Sequence, residues 1–204
     1  MVSASQRSGR SLLIAATLVW TALAIAGCGV NNIPTYEEQA KASWAEVQNQ
    51  YKRRADLIPN LVDTVKGFAA QESKVLKEVI EARAKAVQVT LPADILNNPE
   101  AMKKFEEAQT GLSAALQGMR GLTEAYPDLK SNQNFLQLQQ QLEGTENRVG
   151  IARRDYILSV QQFNTEIKTI PGRWWKSLLY PTAKEMASFT AGEQDQSAPK
   201  VKFN

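Results

Sequence analysis

Apolar side chains return at alternating steps of three and four along residues 44–86, at Trp44, Val47, Tyr51, Ile58, Leu61, Val65, Phe68, Val75, Val79, Ala82 and Ala86. Such steps hold one apolar stripe on one side of a helix, the coiled-coil-like seam of a rod packed lengthwise on its neighbours. Two more stripes follow. Met102, Phe105, Leu112, Leu116, Met119, Leu122 and Tyr126 share one face; Phe135, Leu138, Leu142, Val149, Ala152, Tyr156, Val160, Phe163, Ile167 and Ile170 share another. No convincing strand pattern or internal repeat competes with them. The expectation is an all-α fold, an antiparallel up-and-down bundle of three long helices.

Boundary signals sharpen this. Thr35-Tyr36-Glu37-Glu38 has the form of a capping box, and Leu91-Pro92 stops a first helix that fades near Val89. Pro59 lies inside it and predicts either a kink or a true break, giving three to four helices. The continuous phase favours the kink, whereas Asp56 as a cap before Pro59 favours the break. Asn98-Pro99 opens the second helix and Pro127 closes it; Ser131 or Asn132 opens the third, and Pro171-Gly172 ends it. At 1.5 Å per residue the three span about 80, 42 and 57 Å. With a kink, residues 36–55 become a stalk; with a break, the bundle gains a fourth helix. The folded domain is expected over residues 36–188, followed by a polar tail, 189–204, in which Val201 and Phe203 are the apolar residues available to dock on the bundle.

The N-terminus follows another rule. Arg7 and Arg10 precede an uncharged apolar run, residues 12–26, that ends in Ile25-Ala26-Gly27-Cys28. The run spans about 23 Å as a helix against a hydrocarbon core of about 30 Å, which fits a cleaved signal peptide, residues 1–27, better than a retained transmembrane anchor. The ending resembles the lipobox of bacterial lipoproteins. It implies that Cys28 becomes the lipidated first residue, with residues 28–35 as tether. Cys28 is the single cysteine, so it has no disulfide partner and no companion thiolates for a metal. Anchored or lipidated, the domain is expected outside the cytoplasm in the bacterial cell envelope, on the inner or the outer membrane. Setting the signal aside leaves 22 basic against 21 acidic residues, a balance without the electrostatic footprint of a nucleic-acid binder.

The chain has no histidine. That removes Ser-His-Asp and Cys-His nucleophiles, most zinc hydrolase sites and the Glu-x-x-His di-iron bundle together. No catalytic residue, metal or cofactor is expected. Glu72, Glu78, Glu81, Glu106, Glu107, Glu143 and Glu146 read as a solvated helix face. Gly111, Gly118, Gly121, Gly144 and Gly150 form no phosphate loop and read as sites of close helix approach. The basic clusters Lys52-Arg53-Arg54 and Arg153-Arg154, flanked by acids, read as salt-bridged surface or as contacts for anionic headgroups or an acidic partner. In Gly172-Arg173-Trp174-Trp175-Lys176-Ser177-Leu178-Leu179-Tyr180-Pro181, indoles and a phenol beside cations suit a membrane interface; the same rings could instead cover the open end of the bundle.

Several blocks together resemble the LemA family: residues 50–68 (Gln50-Tyr51-Lys52-Arg53-Arg54-Ala55-Asp56-Leu57-Ile58-Pro59-Asn60 and onward to Phe68), Glu124-Ala125-Tyr126-Pro127-Asp128-Leu129, Thr145-Glu146-Asn147-Arg148, Arg153-Arg154-Asp155-Tyr156, Phe163-Asn164-Thr165 and Pro199-Lys200-Val201-Lys202-Phe203. The resemblance runs from about residue 36 to the C-terminus. It implies a membrane-anchored antiparallel helical bundle without established enzymatic activity, acting as an envelope scaffold or as a membrane-shaping part. Arg53, Arg54, Asp56 and Asn60 would either brace the chain around Pro59 or form a docking surface. The expected partners are the membrane, envelope proteins and a second copy of the chain. Two functions follow: a helical scaffold or protein-interaction module, and a lipid-binding module that self-assembles on the bilayer.

Overall fold

The computed structural model describes residues 29–88 and 94–189. Cys28, the signal segment, Leu91-Pro92 and the tail with Val201 and Phe203 lie outside the described residues. Among those described, every regular element is helical: α1 (Asn32–Lys66), α2 (Ser73–Gln88), a 3-10 turn (Ile95–Asn97), α3 (Pro99–Ala125), the short α4 (Pro127–Ser131), α5 (Gln133–Lys168) and α6 (Gly172–Leu179).

Two helix starts follow the chemistry expected of them. The Asn98 side chain accepts from the Ala101 amide at 3.1 Å with Pro99 in the first turn, and the Asn132 side chain accepts from the Phe135 amide at 3.0 Å, each satisfying a first-turn donor. The Thr35 capping box does not form. Helix α1 begins at Asn32, and the Thr35 hydroxyl donates back to the Asn31 carbonyl at 2.7 Å.

The larger correction concerns the first long rod. Helix α1 passes through Pro59 uninterrupted and ends at Lys66; the chain turns at residues 67–72, and α2 returns alongside. The break is real but falls after Gly67, whose amide bonds to the carbonyls of Thr64 and Val65. Residues 36–55 are not a stalk, because Ala40, Trp44, Val47 and Tyr51 are buried in the same core as Val149, Tyr156 and Phe163 of α5.

The antiparallel pair α1 and α5 forms the spine, α2 packs on α1 and α3, and α3 faces α5 across a groove. The core has two parts. At the end holding the start of α1, Trp44, Tyr51, Phe105, Tyr156 and Phe189 interlock with ring centroids 5.1–6.0 Å apart. At the other end the filling is aliphatic: Ile58, Leu61, Val65, Leu76, Val79, Leu112, Met119 and Leu129.

Residues 180–189 contribute a part that periodicity did not announce. They run as an extended strap between the 3-10 turn and α5, burying Ala183, Met186 and Phe189. Asn164 holds Met186 through both its amide and its carbonyl at 2.9 Å, Tyr156 donates to the Ala187 carbonyl at 2.7 Å, and Asn97 donates to Glu185 at 3.0 Å. Burial of Met186 and of Phe189 stabilises the fold by about 1.5–3 kcal/mol each.

Candidate functional site

The basic cluster on α1 divides by helical phase. Lys52 and Arg53 are exposed, while Arg54 is 1% exposed and belongs to the interior rather than to a solvated surface. A buried guanidinium needs acceptors on most of its five donors. Its Nη1 donates to Ser113 Oγ at 2.9 Å and Glu146 Oε2 at 2.7 Å, and its Nη2 donates to the Gln109 carbonyl at 3.2 Å and Gln109 Oε1 at 2.8 Å. Gln109 in turn donates to the Ala86 carbonyl at 3.3 Å. One side chain therefore ties α1 to α3 and α5 and, through Gln109, to α2. Its Nε is buried without an acceptor.

Arg53, Asp56, Pro59 and Asn60 all lie on the exposed side of α1. Pro59 has no N–H for the carbonyl of Ala55 four residues back. The donor that meets that carbonyl is Arg83 Nε of α2, at 2.8 Å. The partner comes from across the hairpin, so no residue of the motif supplies it.

The second basic cluster also divides. Arg153 bonds Glu106 at 3.0 Å and stacks over Phe189 at 4.4 Å, whereas Arg154 pairs with its exposed neighbour Asp155 at 3.5 Å. Two of the glutamates taken as solvated, Glu106 and Glu146, hold these arginines. The glycines do not mediate close packing: Gly111, Gly118, Gly121 and Gly150 have open space where a side chain would stand. Gly172 is the position of close approach, since a Cβ there would collide with the Glu166 carbonyl.

The paired tryptophans point to different surroundings. Trp175 is partly buried against the aromatic core, with its Nε1 buried and unpartnered; Trp174 is 57% exposed. Leu178, one turn on, is 73% exposed, and Ile170 and Leu179 are exposed as well. Beside this apolar surface, Lys168, Arg173 and Lys176 line an open cleft with Ile167, Ser177 and Pro181. Tyr180 is partly buried against the core. Glu166 locates α6 relative to the start of the fold: its side chain accepts from Asn32 Nδ2 at 3.3 Å, and its backbone abuts Gly172. The first turn of α1 and the exposed face of α6 thus share one end of the bundle.

Burial raises the pKa of Tyr51 and, more strongly, of Tyr156 above the ordinary tyrosine value. Among the described residues no group of three or more Cys, Asp or Glu side chains converges as metal ligands, and no helix is long and apolar enough to cross a membrane.

These features define an all-helical bundle whose internal polar network ties helices together and whose one end is amphipathic. Residues 43–203 match the model of the LemA family, and the chain belongs to that family. It is similar to the magnetosome proteins MamQ 2 and MamQ 1 of Paramagnetospirillum magneticum, in each case 23% identical over 175 residues, covering 78% of this chain and 63% of the relative. The chain thus spans less than two thirds of those relatives' length. Family membership and this likeness point to a membrane-associated helical protein.

Proposed function

We propose that the chain is a non-catalytic helical module of the bacterial cell envelope, lipid-anchored at Cys28, that presents helix faces to protein partners with its α6 end against the bilayer. The observation that carries this reading is the shared contact of Asn32 and Gly172 with Glu166. Gly29 directly follows Cys28, so a lipid on that cysteine would hold α6 at headgroup level. An amphipathic helix as short as α6 binds lipid weakly alone, and beside an acyl anchor it acts as a second membrane contact. Trp174 and Leu178 suit the interfacial layer, and Arg173 and Lys176 suit anionic headgroups. The non-catalytic part rests on the absence of histidine from the whole sequence.

Mass spectrometry of the membrane-extracted protein after crosslinking in cells tests both halves. The expected species begins at a diacylglyceryl-modified Cys28 and is joined to specific envelope proteins through exposed helix positions. An unmodified, uncleaved N-terminus would remove the lipid anchor, and an uncrosslinked chain at native abundance would remove the partner role.

A second reading, a lipid-binding module that assembles on the bilayer, is favoured by the exposure of Trp174 and Leu178. Tubulated or coated anionic vesicles in electron micrographs would support it; smooth vesicles carrying isolated protein would discard it.

A further inference from the structure

The outer side of α5 carries a second seam. Steps of three and four lead from Gln137 to Thr165 along the side turned away from Val149, Tyr156 and Phe163, and among these positions only Asp155 is charged. The water-facing side of a helix is ordinarily rich in charge. An uncharged stripe in three–four steps is instead the pattern of a helix packed on a neighbour, and α5 already spends its opposite stripe on the core. At the middle of the outer stripe Ile151 and Leu158 are 52% and 55% exposed.

The seam is complementary to itself. Its steps read the same in both directions from Ile151, so a second copy turned end for end about that residue lays Gln137 beside Thr165, Gln140 beside Gln162 and Leu158 over Gly144. Gly144 offers the notch, since a side chain there would meet only the tip of Arg148, 3.5 Å away. Arg148 also supplies the charge match. It lies seven residues before Asp155 on the same flank of the helix, and antiparallel packing brings like flanks together, so each Arg148 meets the Asp155 of the other copy. Arg148 is exposed and has no carboxylate partner among the described residues. Asp155 has Arg154 at 3.5 Å, with both side chains in water, a pair of the kind that contributes little and exchanges readily.

We propose that the exposed face of α5, centred on Ile151, is a two-fold interface with a second copy of this chain. This rests on the reading that the module presents helix faces to protein partners, and names one face and its partner. One helix face falls short of the about 20–30 residues a side of a standard interface. The dimer is therefore a weak one, favoured where anchoring concentrates the chain.

The test uses the full chain in the membranes of cells that express it, treated with a short bis-maleimide and mapped by mass spectrometry. The unsubstituted chain, with Cys28 as its single thiol, sets the baseline. A residue on a two-fold axis meets itself, so Ile151→Cys should give a dimer joined 151 to 151, about tenfold above Ile80→Cys on the exposed side of α2. Gln137→Cys and Thr165→Cys should dimerise little alone and join 137 to 165 when co-expressed. Asp155→Arg should lower the 151-to-151 product about fivefold, and adding Arg148→Asp should restore it. Circular dichroism confirms that each variant is folded. Equal yields at 151 and 80, or a product indifferent to the charge pair, would overturn the proposal. Products that join position 151 to another protein would overturn it too, while leaving the broader partner reading in place.

Discussion

The two halves of this bundle solve the same packing problem differently. Around Trp44 five aromatic rings interlock and a ten-residue strap runs between the 3-10 turn and α5, adding Phe189 to the cluster. Around Leu112 the core is aliphatic, and a cavity between α3 and α5 has the buried Arg54 on its wall. The closed half concentrates its stability in large rings with fixed geometry. The open half relies on a polar tie, which contributes less net energy but constrains which helices face one another.

Substitutions should expose that contrast, the largest effect first. Trp44→Ala removes the ring that touches Phe105, Tyr156 and Phe189, and should cost about 3–5 kcal/mol in urea unfolding. A loss below about 1 kcal/mol would mean that the aromatic cluster is not the stable half. Arg54→Met keeps the stem and deletes the tie; it should cost about 1–3 kcal/mol, mainly from unpairing Gln109 and Ser113, because Glu146 is half exposed and can rehydrate. Hydrogen exchange should accelerate on α2 and α3 more than on the lower part of α5, and uniform acceleration would contradict the division.

Tyr156 tests the closed half by pH. Its folded pKa lies above the ordinary value of 10.0 because burial disfavours the phenolate. Below the unfolded value both states are protonated and stability is unaffected; above it the unfolded chain releases its proton first, so stability falls as pH rises, by up to about 1.4 kcal/mol per pH unit for each such group. Tyr156→Phe should lose the bond to Ala187, about 0.5–1.5 kcal/mol at neutral pH, and show a shallower alkaline decline. An unchanged slope above pH 10 would mean that the phenol is not held neutral. The smallest stability effect belongs to Trp174→Ala, within about 0.5 kcal/mol of the parent because the ring is exposed. Flotation of the full chain with anionic vesicles should nevertheless weaken, and a large melting shift would instead make Trp174 a core residue.

The stripes and the asparagine caps were readable because each is a local pattern: three- and four-residue steps at Met102, Phe105 and Leu112, or Asn98 ahead of Pro99. The turn between α1 and α2 was not. A proline is the strongest written break, yet Pro59 lies on an exposed face and the carbonyl that it orphans finds Arg83. The break instead follows Gly67, and the three–four phase carries across it from Phe68 to Val75, hiding a reversal of direction. Arg54 looked like one cation in a basic triplet, although its place three residues after Tyr51 and four before Ile58 puts it on the apolar stripe and sets it apart from Lys52 and Arg53. The strap escaped for another reason: its bonds through Asn97, Tyr156 and Asn164 join residues distant along the chain. Among the residues around the groove and α6, the types were legible and the juxtapositions were not.

The continuity of α1 through Pro59 has a mechanical consequence. Its 35 residues form one unbroken rod that carries Trp44 and Tyr51 in the aromatic cluster and Ile58 and Leu61 in the aliphatic one, so the two clusters keep a fixed spacing and rotation along a shared axis. A shift of α1 against α5 would have to disturb both at once.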